Sequence, residues 1–346
     1  MKILTIILNY NGADETTECL QAFSKMSLAS DIYLVENSDR DKENQIKIFR
    51  EFFKNHPKLN IAKFDIQDKN TGFAGGVNLG IKYALSRNYD AVALLNSDAI
   101  PDKNWLKNLA RNLPKWDAAT GLMIDSAGDK IINTGDIYTL WGVPEQRDED
   151  LPVKKASKSG EVFGATGGAV LYKTEIFREI GLFDEKLFAY DEDVDIAWRA
   201  RLAGFNFFYD EESIVFHEGG TSSSSAFKTR QVFANLPVVF MKNIPSPMIW
   251  RVLPRFVLAY ILFFGYKITK FQMWSALRGI GRSIRFWPHN LSQRREVQRK
   301  FREKFPTKSS RKAAIKKLES LINPRLPFKQ IQRIKKLFSR KNSKML

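Results

Sequence analysis

The first hundred residues alternate between short apolar runs and helical segments, and this alternation restricts the fold more than any other feature. Apolar runs of strand length occupy residues 3–8 (ILTIIL), 31–37 (DIYLVEN), 60–64 and 91–96 (AVALLN). Segments with helical character separate them at about 16–26, 45–55 and 77–86. Strands that alternate with helices form right-handed units around a mainly parallel sheet. The sequence therefore predicts an α/β fold.

Polar residues follow three of the predicted strands. They are NYNG at 9–12, ENSD at 36–39 and NSD at 96–98. Ligands of such sheets bind at the carboxyl ends of the strands, so the three clusters are expected to converge on one edge. The alternative is that these residue types simply form turns.

A glycine-rich segment, NTGFAGGVNLGI at 70–81, lies between the second and third of these clusters. Its glycine spacing is not that of the dinucleotide fingerprint, and no GxxxxGK[ST] motif occurs in the chain. We predict a loop that enters a helix near Val77 and lets a ligand approach the backbone.

An acidic stretch, FAYDEDVDIAWRARLAG at 188–204, stands out in a chain of net charge +17. Its carboxylates are Asp191, Glu192, Asp193 and Asp195. Val194, Trp198 and Leu202 recur at helical spacing, which places the acids in the first turn, where they complement the helix dipole. Asp195 and Arg199 are four residues apart and could pair on the surface. A structural role and a catalytic role both remain open on this stretch alone.

The charge of the chain is divided unevenly. From Phe227 to Leu346 there are 29 Lys and Arg against three acidic residues, whereas the preceding part carries an excess of acid. A domain boundary is therefore predicted near residue 225, between a folded domain at 1–225 and a basic helical region at 226–346. The single cysteine, Cys19, excludes an internal disulfide, and the first apolar run is too short for a secretory signal.

Taken in order, several motifs resemble the family-two glycosyltransferases of GT-A fold, in particular their rhamnosyltransferase-like branch. The matching segments are LNYNG, VENSDRD, NTGFAGGVNLGI, LLNSDAIP, GATGGAVLYKTEIFREIGLFDEKLFAYDEDVDIAWRARLAG and VFHEGGTSS. The resemblance implies a Rossmann-like sheet with helices on both faces, a nucleotide-binding half at about 1–115 and an acceptor half at about 116–225.

The activity that this resemblance implies is glycosyl transfer with inversion, in cell-surface polysaccharide synthesis. The donor would be a nucleoside-diphosphate sugar, either dTDP-rhamnose or a UDP-hexose, and the acceptor a glycan or a lipid-linked sugar. The resemblance places the donor against Asn9, Tyr10, Glu36, Asn37, Asn70, Gly72, Gly75, Asn78 and Asn96. The family usually carries Asp where this chain has Glu36.

The resemblance also implies a divalent cation, Mg²⁺ or Mn²⁺, on the departing diphosphate. LLNSDAIP stands where the family has its DxD motif, with Asn96 in place of the first acid and Asp98 as the remaining carboxylate. His217 stands at the position of a second metal ligand.

In the family, the Asp of a Glu-Asp pair is the general base, which corresponds to Asp193 with Glu192 beside it. The expected acceptor-side residues are Gly167, Gly168, Asp184 and Asp191. Asp191 and Asp195 could instead cap the helix. Arg199 and Arg201 could contact the diphosphate or stand on the helix surface.

The basic region has an apolar face between Trp250 and Phe264, but only eleven uncharged residues separate Arg255 from Lys267. We expect this run to be too short to cross a bilayer. It would lie in the membrane interface or pack on the catalytic domain. Cationic amphipathic segments follow at 293–305, 309–321 and 329–341, which predicts peripheral association with an anionic membrane surface at the cytoplasmic face.

Two other functions remain as alternatives. A sugar nucleotidyltransferase would need a basic, glycine-rich loop after the first strand, and NYNGADETTE contains no basic residue. A nucleic-acid-binding protein could use the basic region, but no nucleic-acid motif is present and the preceding part is acidic, so nucleic acid is disfavoured.

Overall fold

The computed structural model of the chain describes residues 1–217 and 224–324. The strands are β1 (Ile3–Asn9), β2 (Asp31–Glu36), β3 (Ile61–Ile66), β4 (Ala91–Asn96), β5 (Ala99–Pro101), β6 (Ala118–Asp125), β7 (Ile131–Asn133), β8 (Asp136–Thr139), β9 (Pro144–Gln146), β10 (Gly160–Val162), β11 (Ala169–Lys173), β12 (Phe207–His217) and β13 (Ile322–Asn323). The helices are α1 (Ala13–Phe23), α2 (Lys42–Asn55), α3 (Gly72–Ser86), α4 (Trp105–Asn112), α5 (Thr174–Ile180), α6 (Glu192–Leu202), α7 (Ser225–Asn243), α8 (Ser246–Thr269), α9 (Met273–Arg285), α10 (Trp287–Lys304) and α11 (Lys308–Leu321).

One large sheet organises the first part of the chain. Among the described residues it has ten strands, eight of them in the order β10-β12-β6-β11-β4-β1-β2-β3, with β5 beside β12 and β7 beside β6. Strands β4, β1, β2 and β3 are parallel. Strand β11 runs antiparallel between β4 and β6, while β12 is parallel to β6. The α/β prediction is confirmed, and the sheet is parallel in its first half and mixed in its second.

Helices cover both faces of this sheet, as the side-chain alternation of β1 shows. Ile3 and Ile7 point into a core with Leu20 of α1 and Trp105 of α4. Ile6 lies on the opposite face, against α3. Because successive strand residues point to opposite faces, a fully apolar strand such as β1 is buried from both sides.

Helix α3 corrects the prediction of a loop up to Val77, because the helix already begins at Gly72. A side chain at Gly76 would lie 2.4 Å from Leu8, and one at Gly80 would lie 2.5 Å from Ile6. The glycines therefore bring the helix backbone close to β1. At Gly76 and Gly80, glycine is required by close packing of the helix on the strand and not by a ligand-binding loop.

The contacts divide the chain into two compact units. The first comprises Met1–Asp136 and Gln146–Ser224, and the second Ile137–Glu145 and Ser225–Leu346. The sequence did not indicate that the segment Ile137–Glu145 belongs with the basic region. The residues 218–223 of the VFHEGGTSS motif and the cationic segment 329–341 lie outside the described residues.

The second unit is helical, with a small sheet of β13, β8 and β9. Its helix α8 has 24 residues, and among the described residues it is the one helix long and apolar enough to cross a membrane. The expectation that this run is too short was wrong. The prediction counted only the uncharged residues between Arg255 and Lys267, and it left out the apolar helical turns between Ser246 and Arg255.

Candidate functional site

The carboxyl ends of the parallel strands meet at one edge of the sheet. Asn9 of β1 is in register with Glu36 of β2, and Leu8 of β1 with Asn96 of β4. Strand β11 is antiparallel to β4, so its first residues, after Gly167 and Gly168, lie at this same edge. The expected convergence of the polar strand ends is therefore present.

Asn9 and Glu36 are fully buried and bond to each other. The Asn9 Nδ2 donates to the Glu36 Oε2 over 2.5 Å, and its Oδ1 accepts from the Thr16 hydroxyl at 2.8 Å. The other carboxylate oxygen of Glu36 accepts from the Ser38 N–H at 2.8 Å. In this arrangement the two side chains fix the turns after β1 and β2. Tyr10, beside them, is more exposed and donates its hydroxyl to Asp39.

Asn37 holds the loop that leads into α3. Its Oδ1 accepts from the Thr71 N–H at 2.9 Å, and its Nδ2 donates to the Asn70 side chain at 3.1 Å. Gly72 closes this loop with φ of +73°, and a side chain there would lie 2.4 Å from the carbonyl oxygen of Phe188. Gly75, one turn further, packs against Thr71. The predicted donor residues of this segment thus form one bonded loop.

Asn78 lies in α3, and its side chain bonds to the segment before the acidic stretch. It donates to the Phe183 carbonyl at 2.9 Å and accepts from the Phe183 N–H at 3.0 Å. The following residue, Asp184, accepts from the Lys186 N–H at 3.1 Å in a turn. Asn78 is therefore bonded to the LFDE segment, and its burial leaves little of it accessible to a donor.

Asp98 and His217 face each other at the same sheet edge. Strand β5 begins at Ala99, opposite His217 at the end of β12, and this pairing brings the two side chains together. The His217 Nε2 lies 3.1 Å from the Asp98 Oδ1 and 3.2 Å from the Asn96 Nδ2. Burial opposes ionisation of Asp98, but the hydrogen bond and charge of His217 outweigh it, so the pKa of Asp98 lies below its usual value.

These three side chains carry donor atoms that suit a divalent cation. One carboxylate, one imidazole and one amide supply oxygen and nitrogen donors of the kind that Mn²⁺ accepts. No group of three or more His, Cys, Asp or Glu that could hold a metal occurs within residues 1–217 and 224–324.

Asp193 stands at the start of α6, where the helix leaves its first N–H groups without helical partners. Its two oxygens accept from the N–H groups of Gly167, at 3.1 Å, and of Val194, at 2.8 Å. Burial raises the pKa of Asp193, while these backbone hydrogen bonds hold the increase back. Asp193 is partly exposed, whereas its neighbour Glu192 is buried.

The turn before α6 has an uncommon backbone. Phe188, Tyr190 and Asp191 all have positive φ, between 67° and 69°, although none of them is a glycine. Left-handed conformations of such residues cost about 1–3 kcal/mol each and concentrate at functional sites. The Phe188 carbonyl, in turn, accepts from the Ala74 N–H at 3.1 Å. The acidic turn and the start of α3 are therefore joined.

A further carboxyl group, which the sequence analysis missed, lies near Asp193. Asp136 is buried, its Oδ1 accepts from the Asn133 amide at 2.8 Å, and its Oδ2 has no hydrogen-bond partner. Burial and the neighbouring Asp193 raise the pKa of Asp136 to about 8. Burial and Asp193 also raise the pKa of Glu192 well above its usual value. No motif signals Asp136, because its proximity to α6 arises only in the folded chain.

Gly164 explains how Asp136 comes close to α6. The Asp136 N–H donates to the Gly164 carbonyl at 3.0 Å. A side chain at Gly164 would lie 2.6 Å from Ala197, one helical turn after Asp193, and 3.8 Å from the Asp136 Cβ. The segment from Gly164 to Gly167 therefore contacts the backbone of Asp136 at one end and the Asp193 carboxylate at the other.

Gly167 and Gly168 connect the two halves of the candidate site. Gly167 donates to Asp193, and the Gly168 carbonyl accepts from the Asn96 N–H at 2.8 Å. A side chain at Gly168 would lie 3.0 Å from the Asn96 Nδ2. One of these adjacent glycines thus bonds to Asp193, and the other bonds to Asn96, next to Asp98 and His217.

Arg199 and Arg201 correct the expectation of a surface or diphosphate role. Asp195 and Arg199 do pair, at 2.8 Å, but in the interior, and Arg199 also donates to the carbonyls of Ile180 and Leu182. Arg201 is buried and donates to the Phe163 carbonyl at 2.9 Å. Both guanidinium groups are occupied by the loops around α6.

Comparison with known proteins decides the family of this chain. A family model described as "Glycosyltransferase like family 2" matches residues 2–235. The chain belongs to this glycosyltransferase family. The match includes every predicted site residue, from Asn9 to His217.

Two curated proteins are similar to about half of this chain. The chain is 27% identical over 172 residues to the probable glucomannan 4-beta-mannosyltransferase 9 of Oryza sativa subsp. japonica, covering 49% of this chain and 32% of the relative. It is 23% identical over 208 residues to the low-salt glycan biosynthesis hexosyltransferase Agl10 of Haloferax volcanii, covering 58% and 62%. The matches thus span about a third to two thirds of the relatives' lengths.

Solved structures agree on the fold. The mannosyltransferase PcManGT of Pyrobaculum calidifontis, in complex with GDP-Man and Mn²⁺, has a TM-score of 0.51 at 13% identity, covering 92% of this chain and 86% of that one. S. aureus TarS 1–349, in complex with UDP-GlcNAc, has a TM-score of 0.53 at 17% identity, covering 92% of both. The chain therefore has the GT-A fold that these proteins share.

Proposed function

We propose that this protein transfers a sugar, with inversion, from a nucleoside-diphosphate donor to a hydroxyl group of a glycan or lipid-linked acceptor. The observation that carries the proposal is the pair Gly167–Gly168. It holds a carboxylate suited to a base, Asp193, beside a group suited to a cation and diphosphate, around Asp98 and His217. Membership of the glycosyltransferase family supports the same chemistry.

Asp193 would act as the general base. Its carboxylate accepts the proton of the acceptor hydroxyl while the acceptor oxygen forms a bond to the anomeric carbon. The bond from that carbon to the diphosphate oxygen breaks on the opposite side, and the configuration inverts. A pKa raised by burial makes this carboxylate a stronger base than an exposed one.

Asp136 would limit the negative charge around the base. Because the pKa of Asp136 is about 8, its carboxyl group carries a proton at neutral pH and repels Asp193 little. Glu192, whose pKa is also raised, is largely buried beside Asp193. We therefore assign proton abstraction to Asp193, the more accessible of the three groups.

Asp98 and His217 would hold a divalent cation, with Asn96 beside them. A cation bound there supplies positive charge that neutralises the diphosphate as it leaves. The pKa of Asp98 is lowered by its hydrogen bond to the His217 Nε2, and a cation held by both side chains would take the place of that hydrogen bond. Two of the similar structures hold Mn²⁺, which favours that ion.

The donor would lie along the edge formed by the turns after β1, β2 and β4. In our proposal Asn9, Glu36 and Asn37 position these turns, and Asn78 holds the LFDE segment. Tyr10, Asn70 and backbone groups near Gly72 and Gly75 contact the nucleotide. A uridine diphosphate hexose and a thymidine diphosphate rhamnose are the donors to test first. The polymer made would belong to cell-surface polysaccharide synthesis.

The test is release of nucleoside diphosphate from UDP-GlcNAc, UDP-glucose, GDP-mannose and dTDP-rhamnose, with Mn²⁺, by the full chain. One donor should react. Asp193→Asn should lower its rate about 10²–10⁴-fold, the usual contribution of a general base. Glu51→Gln, on the exposed face of α2, is the matched control and should keep the wild-type rate. A folded Asp193→Asn variant with near-wild-type turnover would refute the assignment.

A further inference from the structure

The second unit carries an exposed apolar surface that glycosyl transfer does not explain. On α8, Trp250, Val257, Ile261 and Ile268 follow one another at intervals of seven, four and seven residues, so they share one side of the helix. All four are exposed, Trp250 to 82%. Gly265 lies on the same side, and a side chain there would meet no atom within 4 Å. This side of α8 is open along its length.

The apolar surface continues beyond α8. Phe271, in the turn before α9, has φ of +58° and is 99% exposed. On α9, Trp274 is 72% exposed, and Leu277 and Ile284 follow at intervals of three and seven residues. A large aromatic side chain that is fully exposed at a turn is costly in water unless something covers it.

The other side of α8 is already packed within the second unit. The Phe263 ring stacks on Phe233 of α7 with centroids 4.9 Å apart, and Phe256 stacks on Phe240 at 4.3 Å. The Tyr260 hydroxyl donates to the Phe233 carbonyl at 2.7 Å. Helix α8 therefore has one partnered side and one open side, which is the arrangement of a helix that lies on a surface rather than one surrounded by lipid.

The charge around the open side identifies its occupant. Between Ser246 and Leu291 the sequence contains seven Lys and Arg and no Asp or Glu. Arg278 and Arg285 lie next to the apolar stripe of α9, and Lys270 precedes Phe271. A second copy of the chain would bring the same positive charges, whereas an anionic bilayer supplies the opposite charge and an apolar interior.

We propose that the open sides of α8 and α9, with Phe271 at the turn between them, form a surface that inserts into the interface of an anionic lipid bilayer. The apolar side chains enter the headgroup and acyl boundary, and the cations contact the headgroups. The protein would be bound to one face of the membrane, and α8 would not span it. This inference is independent of the donor and acceptor chemistry proposed above.

Flotation with vesicles tests this proposal. The full chain should float with vesicles of phosphatidylcholine and phosphatidylglycerol, more weakly with phosphatidylcholine alone, and more weakly as salt is raised. The double variant Phe271→Ser, Trp274→Ser should lower the partition coefficient by roughly tenfold or more, because two buried aromatic side chains are lost. Leu151→Ser, an exposed apolar residue of the first unit, is the matched control and should bind like the wild type.

Several results would overturn the proposal. Equal binding by the double variant, or no flotation of the wild-type chain, would do so. So would a dimer in light scattering that the double variant abolishes, since a second copy would then be the occupant. Retention of the protein in membranes washed with alkaline carbonate would show a spanning helix instead. The double variant should release nucleoside diphosphate at the wild-type rate, which separates failure here from failure of the proposed function.

Discussion

Asp136 and Asp193 place two carboxyl groups near each other, and burial raises the pKa of both, but their hydrogen bonds differ. Asp193 accepts two backbone hydrogen bonds, which favour its ionised form. Asp136 accepts one amide hydrogen bond and leaves its second oxygen buried without a partner, which favours its protonated form. The acidic stretch could be recognised in the sequence. The proximity of Asp136, at the start of β8, could not.

The buried Asp136 makes the stability of the protein dependent on pH. Its folded-state pKa of about 8 lies above the usual 3.8, so the folded chain keeps a proton that the unfolded chain releases. Its contribution to the free energy of unfolding is full below pH of about 4 and is lost as pH rises toward about 8. Asp136→Asn removes this dependence. The free energy of unfolding of the variant, relative to that of the wild type, should therefore rise by up to about 1.4 kcal/mol per pH unit.

Denaturant unfolding of both proteins between about pH 4 and 9 measures this difference. The two curves of unfolding free energy against pH should diverge through the window and then run parallel above it. Curves that stay parallel throughout would show that Asp136 is ionised in the folded state. Asp136→Asn keeps the side-chain oxygen that Asn133 contacts, so the comparison isolates the charge.

At the scale of elements, the sequence predicted the strands of the parallel half and the helix that follows the acidic turn. The predicted start of α3 was wrong, because glycine can be required for two different reasons that a sequence does not distinguish. At Gly76 and Gly80 a larger residue would collide with side chains of β1. Gly72 is needed for a left-handed turn against Phe188. Only the folded chain separates close packing from ligand approach.

Two glycines with similar φ test the contact between the start of α3 and the acidic turn. Gly72 has φ of +73° and Gly128 has φ of +76°, so alanine is strained at both, at about 1 kcal/mol. An added Cβ at Gly72 would also lie 2.4 Å from the Phe188 carbonyl oxygen, while one at Gly128 would lie 3.9 Å from Phe216, an ordinary van der Waals contact. Gly72→Ala should therefore lose about 1–3 kcal/mol more stability than Gly128→Ala.

The thermal midpoints of these two variants, beside that of the wild type, decide the matter. Gly72→Ala should also slow nucleoside diphosphate release, because the turn that leads into α6 and Asp193 must move, whereas Gly128→Ala should leave the rate unchanged. Equal losses of stability at the two sites would show that the α3 loop and the acidic turn are not in the contact described.

At the scale of the whole molecule, an acidic first part carries the candidate site and a basic second unit carries the exposed apolar surface. The charge division was visible in the sequence, and the predicted boundary near 225 stays a prediction about domains. Two features required the folded chain. The segment Ile137–Glu145 belongs with the second unit, and the apolar surface extends past α8 to Phe271 and Trp274.

The most direct test of the central claim is binding of nucleoside diphosphates, followed by thermal stability. UDP, dTDP and GDP would each be added with and without Mn²⁺ to the wild type, Asp98→Ala and Asp193→Asn. A ligand at about 100 times its Kd adds roughly 2.7 kcal/mol. We expect one nucleotide to stabilise the wild type and Asp193→Asn only with Mn²⁺, and Asp98→Ala not at all. No stabilisation by any nucleotide, or an equal shift in Asp98→Ala, would contradict the account.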